Sequence, residues 1–210
     1  VIIKKLVVGP IMANCYILGC QDTREAVVID PGDESERIVM LLAEEKLKLK
    51  YIINTHGHFD HVGGNRELKA ATEADILIHA LDEPMLGQLA NAARGFGLDG
   101  VENSPPADRT IDEGDEITFG NITLKVIHMP GHSQGGVALY TDSIVFVGDS
   151  LFAGSIGRTD LPGGDYHTLI SSIKDKLFQL PDETVVYTGH GPQTSIKQEK
   201  ITNPFVGYNS

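Results

Sequence analysis

Four apolar runs of this 210-residue chain end in loops that carry histidine or aspartate, and no other feature of the sequence restricts the fold as much. YIINT runs into His56, His58, Asp60 and His61; ITLKVIH runs into His132 in MPGHS; SIVFV runs into Asp149 in VGDS; TVVYT runs into His190 in TGHG. The chain has only eight histidines, and three of them fall within HGHFDH, so chance clustering is a poor account. Loops so far apart can share one site only if separate strands bring their carboxyl ends to one edge, where α/β folds usually place their chemistry.

The remaining pattern supplies the strands and helices for such an edge. KKLVVG, CYILG and EAVVID are short runs rich in Val and Ile, as strands are, whereas SERIVMLLAEEKL spaces Ile38, Leu41, Leu42 and Glu45 as a helix does, with Asp33 and Glu36 in capping-box relation. After the histidine loop, NRELKAATEA reads as a helix, DILIHA as a strand and LDEPMLGQLANAARG as a helix, and GFGLDGVENSPPAD reads as an irregular connection. Four strands follow, DEITF, ITLKVIHM, GVALYT and SIVFVG, the last two separated by a turn at Asp142. Then come an amphipathic helix, YHTLISSIKDKLFQL, with Leu169, Ile173, Leu177 and Leu180 on one face, and a last strand, TVVYTG. Two such halves predict an α/β fold in which two sheets pack face to face with helices outside. With 41% hydrophobic residues, one domain over residues 1–210 is the simplest expectation.

Composition limits the partners. A formal charge of −12 and a pI near 5.0 argue against nucleic acid and against a polybasic membrane anchor, leaving small molecules as the expected partners. No stretch approaches the roughly 20 apolar residues of a membrane span. Lys4 and Lys5 before LVVGPIMANCYILGC faintly resemble a secretory leader, but Pro10 and Asn14 interrupt the apolar run. Cys15 and Cys20 are too few and too oddly spaced for a disulfide framework or zinc knuckle, so they read as buried reduced thiols of a cytoplasmic protein.

Imidazole and carboxylate without thiolate suit zinc, with iron and manganese as alternatives. Seven such groups exceed what one tetrahedral ion uses. Two divalent ions roughly 3.5–4 Å apart, sharing a carboxylate and a water, account for all of them. A water acidified to a pKa of about 7 then provides hydroxide at neutral pH, as hydrolysis of an unactivated carbonyl requires.

THGHFDH, PGHSQGG, GDSLF and TGHG, in this order, resemble the motif series of the metallo-β-lactamase superfamily, and GSIGRTDLPGGD with the later NPF resembles its small glyoxalase II-like members. The resemblance spans Asn14 to Phe205. It implies an αββα sandwich in which His56, His58 and His132 hold one metal, Asp60, His61 and His190 hold a second, and Asp149 bridges. It further implies a thioester as substrate, attack by the bridging hydroxide, and Asp60 orienting that hydroxide and handling its proton. The flavin-linked di-iron branch is similar but carries a carboxylate where His58 stands, and the lactam-cleaving branch lacks the aspartate matched by Asp149. Glyoxalase II proper resembles the chain in all seven ligands and places a glutathione-gripping basic residue where Arg158 stands. Asp160 and Pro192 replace its expected tyrosines, and its extra C-terminal helical domain has no counterpart here. A mononuclear iron persulfide dioxygenase is the alternative, resembling the chain at GRTD and Asn-Pro, but with cysteine where Ile156 stands. Lactone or ester hydrolysis and a non-catalytic, metal-stabilised binding module complete the alternatives.

Other residues carry two readings each. Asp30 in VIDPG either closes an Asp-Pro-Gly turn or stands behind the metal and orients a ligand loop. Arg158 either pairs with Asp160 or Asp165 or binds substrate. His79 and His128 read as ordinary core or edge histidines.

Overall fold

The computed structural model describes residues 1–208. Its first sheet comprises β1 (Ile2–Val8), β2 (Ala13–Gly19), β3 (Glu25–Ile29), β4 (Lys48–Ile53), β5 (Asp75–His79) and β6 (Arg109–Ile111), hydrogen-bonded in that order. The second comprises β7 (Glu116–Phe119), β8 (Ile122–His128), β9 (Val137–Thr141) and β10 (Ile144–Phe146), and is completed, beyond the small β11 (Leu151–Phe152) and β12 (Ser155–Ile156) hairpin, by β13 (Val185–Tyr187) and β14 (Thr194–Ser195). Both sheets are mixed. β3 to β6 run parallel, as does the β10–β13 pair, while the remaining neighbours are antiparallel.

Helices cover both outer faces. α1 (Ser35–Glu44), α2 (Phe59–Val62), α3 (Asn65–Thr72) and α4 (Leu89–Gly95) belong to the first half; α5 (Tyr166–Asp175) and α6 (Ile196–Thr202) belong to the second. The apolar residues divide accordingly into three clusters. Ile38, Leu42 and Leu68 from helices pack on Val28, Ile52 and Ile76 of the first sheet. Leu18, Val27, Ile53, Phe119, Leu124 and Phe146 fill the space between the sheets. Leu169 and Ile173 of α5 pack on Ala138, Val145 and Val186 of the second sheet. Three apolar layers between four layers of structure make this the expected αββα sandwich.

Local differences have identifiable causes. The capping box at Asp33 and Glu36 does not form: Glu34 takes the N-cap position in a left-handed conformation, and Asp33 Oδ1 instead accepts from Glu34 N–H at 2.6 Å. The helix read over 81–95 is divided into a 3₁₀ segment at Glu83–Gln88, with Pro84 in its first turn, and α4. β6, the β11–β12 hairpin, β14 and α6 add to the sequence reading. Among the described residues, no helix is long and apolar enough to cross a membrane.

Candidate metal centre

Strands of both sheets deliver the histidine loops from their carboxyl ends, as the pattern requires. β4 is followed by His56 and His58, with Asp60 and His61 on the single turn of α2; β8 leads to His132, β10 to Asp149 and β13 to His190. These side chains from two sheets meet in two groups. The nitrogens of His56, His58 and His132 lie within 4.8 Å of one another, and so do the ligand atoms of Asp60, His61 and His190. Asp149 stands between the groups: its Oδ2 is 3.7 Å from His132 Nε2 and 3.5 Å from His190 Nε2, and its Oδ1 is 3.4 Å from His61 Nε2. Asp60 Oδ2 lies 3.2 Å from His190 Nε2 and 3.5 Å from His61 Nε2. Ligands on a tetrahedral ion with bonds of roughly 2.1 Å sit about 3.4 Å apart, so these spacings suit a cation.

Hydrogen bonds outside the cluster decide which nitrogen of each ring is free. His132 Nδ1 donates to the Arg158 carbonyl at 2.8 Å, His190 Nδ1 to the Met12 carbonyl at 3.2 Å, and His61 Nδ1 to Asp30 Oδ2 at 3.0 Å. His56 Nδ1 lies 3.1 Å from Thr55 Oγ1, whose own proton goes to Asp30 Oδ2 at 2.6 Å, so the ring donates there too. Each of these four rings therefore turns Nε2 inward. His58 points Nδ1 at His132 Nε2 across 2.9 Å, and His61 Nε2 faces His190 Nε2 across 3.2 Å. Facing ring nitrogens can share one proton or one cation. His56 Nε2 and Asp149 Oδ1 are buried without a hydrogen-bond partner, a costly arrangement that a bound divalent metal relieves.

The electrostatics divide along the same line. Burial pushes His56 well below the ordinary histidine value, with the neighbouring rings acting in the same direction, and burial with His132 holds His58 at about 4. Burial also pulls His61 down, but Asp149 and Asp60 outweigh it and hold this ring well above its ordinary value. His190 is raised against burial by its hydrogen bond to Asp60 and the charge of Asp149. Burial raises Asp60 and Asp149, yet the adjacent His61 keeps both below the usual carboxylate range. The three-histidine group thus offers lone pairs, and the carboxylate-rich group calls for positive charge.

Asp30 stands behind the centre. Oδ1 accepts from Thr55 N–H at 2.7 Å, and Oδ2 accepts from both Thr55 Oγ1 and His61. Its own backbone is left-handed, with φ of 53°, as a turn requires, and its carboxylate bonds the loop that carries His56 and His58. The Arg158 guanidinium is paired with Asp160 by bonds of 2.7 and 2.8 Å and is half exposed. Sequence reasoning missed the carbonyls of Arg158 and Met12, which no side-chain pattern can reveal. His79 and His128 stack with ring centroids 4.3 Å apart beside Asp112. There His79 Nδ1 accepts from Leu81 N–H, which leaves the proton on the Nε2 that faces Asp112, and His128 Nε2 donates to the Gln134 carbonyl. These bonds engage both ring nitrogens of His79 and Nε2 of His128 within the protein.

Comparison with known proteins agrees with this geometry. The family model of the Metallo-beta-lactamase superfamily matches residues 8–190. A Haemophilus influenzae protein named hydroxyacylglutathione hydrolase GloC is 38% identical over 200 residues, covering 94% of this chain and 94% of its own. The crystal structure of the BLEG-1 B3 metallo-beta-lactamase is 38% identical, with a TM-score of 0.91 over 98% of this chain and 99% of that one. The crystal structure of TTHA1623 in a di-iron-bound form is 41% identical, with a TM-score of 0.88 over 96% and 99%.

Proposed function

For a chain that belongs to the metallo-β-lactamase superfamily, and with it to the metal-dependent hydrolases, we propose hydrolysis of small thioesters at a dinuclear centre. The observation that carries this reading is the position of Asp149 Oδ2, within 3.7 Å of a nitrogen from each histidine group. One carboxylate placed so can serve two ions. His56, His58 and His132 would hold the first, Asp60, His61 and His190 the second, and Asp149 both. Zinc fits the donors, with iron or manganese as alternatives; the di-iron form of a similar protein supports two ions and keeps iron in view. When bound, such a pair supplies an acidified water and positive charge for the developing oxyanion.

The chain's own groups do the positioning. Asp60 remains ionised, so its carboxylate accepts a hydrogen bond from the attacking water and directs it at the acyl carbon. The carbonyls of Arg158 and Met12 keep His132 and His190 from turning. Arg158 would meet a carboxylate of the substrate by exchanging Asp160 for it. The thioester assignment draws its support from the activity for which the Haemophilus relative is named. Two buried free thiols, Cys15 and Cys20, support a reducing cytoplasmic setting.

The test compares wild type and Asp60→Asn. Thiol release from an acyl-glutathione is measured with and without oxygen, beside oxygen uptake with glutathione persulfide and turnover of a β-lactam, included because a similar structure bears that name. The expected result is oxygen-independent thiol release that falls about 100-fold or more in the variant. Persulfide-dependent oxygen uptake that survives the substitution, with no thioesterase activity in wild type, would overturn the reading. Wild-type turnover confined to the β-lactam would do the same.

A further inference from the structure

Asp82 is fully buried, lies just beyond β5, and reads in the sequence as the start of a helix. An aspartate in that position ordinarily caps the helix by accepting from its first N–H groups. Here it makes no such bond. Its carboxylate points instead at two loops from different sheets: Oδ2 accepts from Gly57 N–H at 3.0 Å and Oδ1 from Gly135 N–H at 2.6 Å. Gly57 lies between His56 and His58. Gly135 lies in the loop that carries His132.

We propose that Asp82 is a positioning residue for the first ion, a clamp that fixes the His56–His58 loop against the His132 loop whether or not the ion is present. It rests on the ligand assignment given above and not on the substrate. Geometry supports it in three ways. The loops share one main-chain bond, Val137 N–H to the Thr55 carbonyl at 2.8 Å, and the other direct bond between them, His58 Nδ1 to His132 Nε2, joins two of the ligand rings themselves; Asp82 adds a second main-chain anchor that does not involve those rings. Metal ligands need placement to within about 0.5 Å, which a pivot does not provide. The chemistry also demands an acid. Two peptide donors facing one short side chain need an acceptor at both of its ends, which a carboxylate offers and an amide does not. Finally, both contacts depend on glycine: an added Cβ would lie 2.9 Å from the Asp82 carbonyl oxygen at Gly57, and 2.8 Å from Asp82 Oδ1 at Gly135.

Burying a carboxylate between two peptide groups costs hydration that the hydrogen bonds must offset. A helix cap in water would involve no such cost. The arrangement makes sense if holding the two loops in register is what the charge does.

The test uses metal-free full-length protein and cobalt(II), read by its absorption spectrum and by competition with a chelator. His61→Ala serves as the background that leaves the three-histidine group as the intact site. Adding Asp82→Asn to it should weaken cobalt binding roughly 10- to 100-fold, as expected when a partner of the ligand shell is lost. In the wild-type background Asp82→Asn should affect the first equivalent of cobalt more than the second. If that variant fails to fold, amide exchange in metal-free wild type decides alone: Gly57 and Gly135 should be as protected as in the metal-loaded protein. Rapid exchange of both amides without metal overturns the proposal, as does cobalt affinity within twofold of the parent, or equal weakening of both equivalents together with melting temperature. No thioester enters these measurements, so failure of the hydrolase reading leaves the clamp standing and failure of the clamp leaves the hydrolase reading standing.

Discussion

Replacing Asp30 by asparagine should cost the second ion while sparing the first, and the hydrogen bonds give the size of the effect. The carboxylate receives three donors: Thr55 N–H at 2.7 Å, Thr55 Oγ1 at 2.6 Å and His61 Nδ1 at 3.0 Å. An amide keeps one oxygen. If that oxygen stays on Thr55 N–H, the new NH2 group faces Thr55 Oγ1, which can accept, and His61 Nδ1, which must give up its proton to do so. The ring then carries its proton on Nε2, the nitrogen that faces His190, Asp60 and Asp149. His61 is fully buried, so water cannot substitute for the lost acceptor. With the amide reversed, two N–H donors collide at Thr55 instead, at no smaller cost. Loss of one hydrogen bond to a charged group is worth about 1.5–3 kcal/mol, and about 1.4 kcal/mol is tenfold in affinity, so the second ion should bind roughly 10- to 100-fold more weakly. Thr55 Oγ1 still accepts from His56, which keeps the first group in its working tautomer. Stepwise titration of metal-free protein against a chelator reads both constants, with circular dichroism as the control for folding. A second constant within twofold of wild type, or a first constant that falls equally, would refute the argument.

Two further outcomes follow from the charges. Metal-free protein should lose stability as pH falls from about 6.5 to about 4. His58 is held near 4 by burial and His132, so within that window the unfolded chain binds the extra proton. At 1.36 kcal/mol per pH unit this amounts to about 3 kcal/mol, with His56 acting in the same direction and His61, charged in both states there, contributing no slope. Urea melts at several pH values check it; a flat or acid-stabilised profile contradicts it. At the loop, Asp160→Ala should free the Arg158 guanidinium and lower KM for a substrate with a carboxylate, and Arg158→Ala should raise KM more than it lowers kcat. Steady-state kinetics of both variants decide this, and unchanged KM in both leaves Arg158 a surface ion-pair residue.

How much of this could be read from the chain follows from where each interaction resides. The histidines and aspartates of the centre are side chains placed just after apolar runs, so composition and spacing both announce them. The sandwich was legible for the same reason: alternating Val/Ile runs and helical spacing reflect the three apolar layers directly. The missed elements lack such a signal. β6 pairs through three residues, two of them exposed, and α6 turns the buried Glu199 inward, where it accepts from Thr194 Oγ1 and Gly154 N–H. A helix anchored by a buried carboxylate does not show apolar periodicity at that position. The failed capping box shows the converse case, in which the residues are present at the right spacing and a left-handed Glu34 directs the chain elsewhere.

The groups that stand behind the candidate ligands divide in the same way, and the division explains why sequence reading finds a metal site more readily than the means of its assembly. Asp30 was singled out, with two readings open, because it ends a strand in a turn motif. Asp82 was not, because its partners are peptide N–H groups of glycines, which contribute no side-chain pattern. Both acids nevertheless act on the same loop, Asp30 at Thr55 and Asp82 at Gly57, on either side of His56. A backbone held at residues 55 and 57 has little freedom to rotate the peptide between them, so His56 Nε2 is set before any ion arrives. The nitrogen this arrangement orients is one of the two buried atoms at the centre left without a partner. Preorganisation of this kind leaves a buried lone pair without a partner, a cost that a divalent ion held by His56, His58 and His132 would offset.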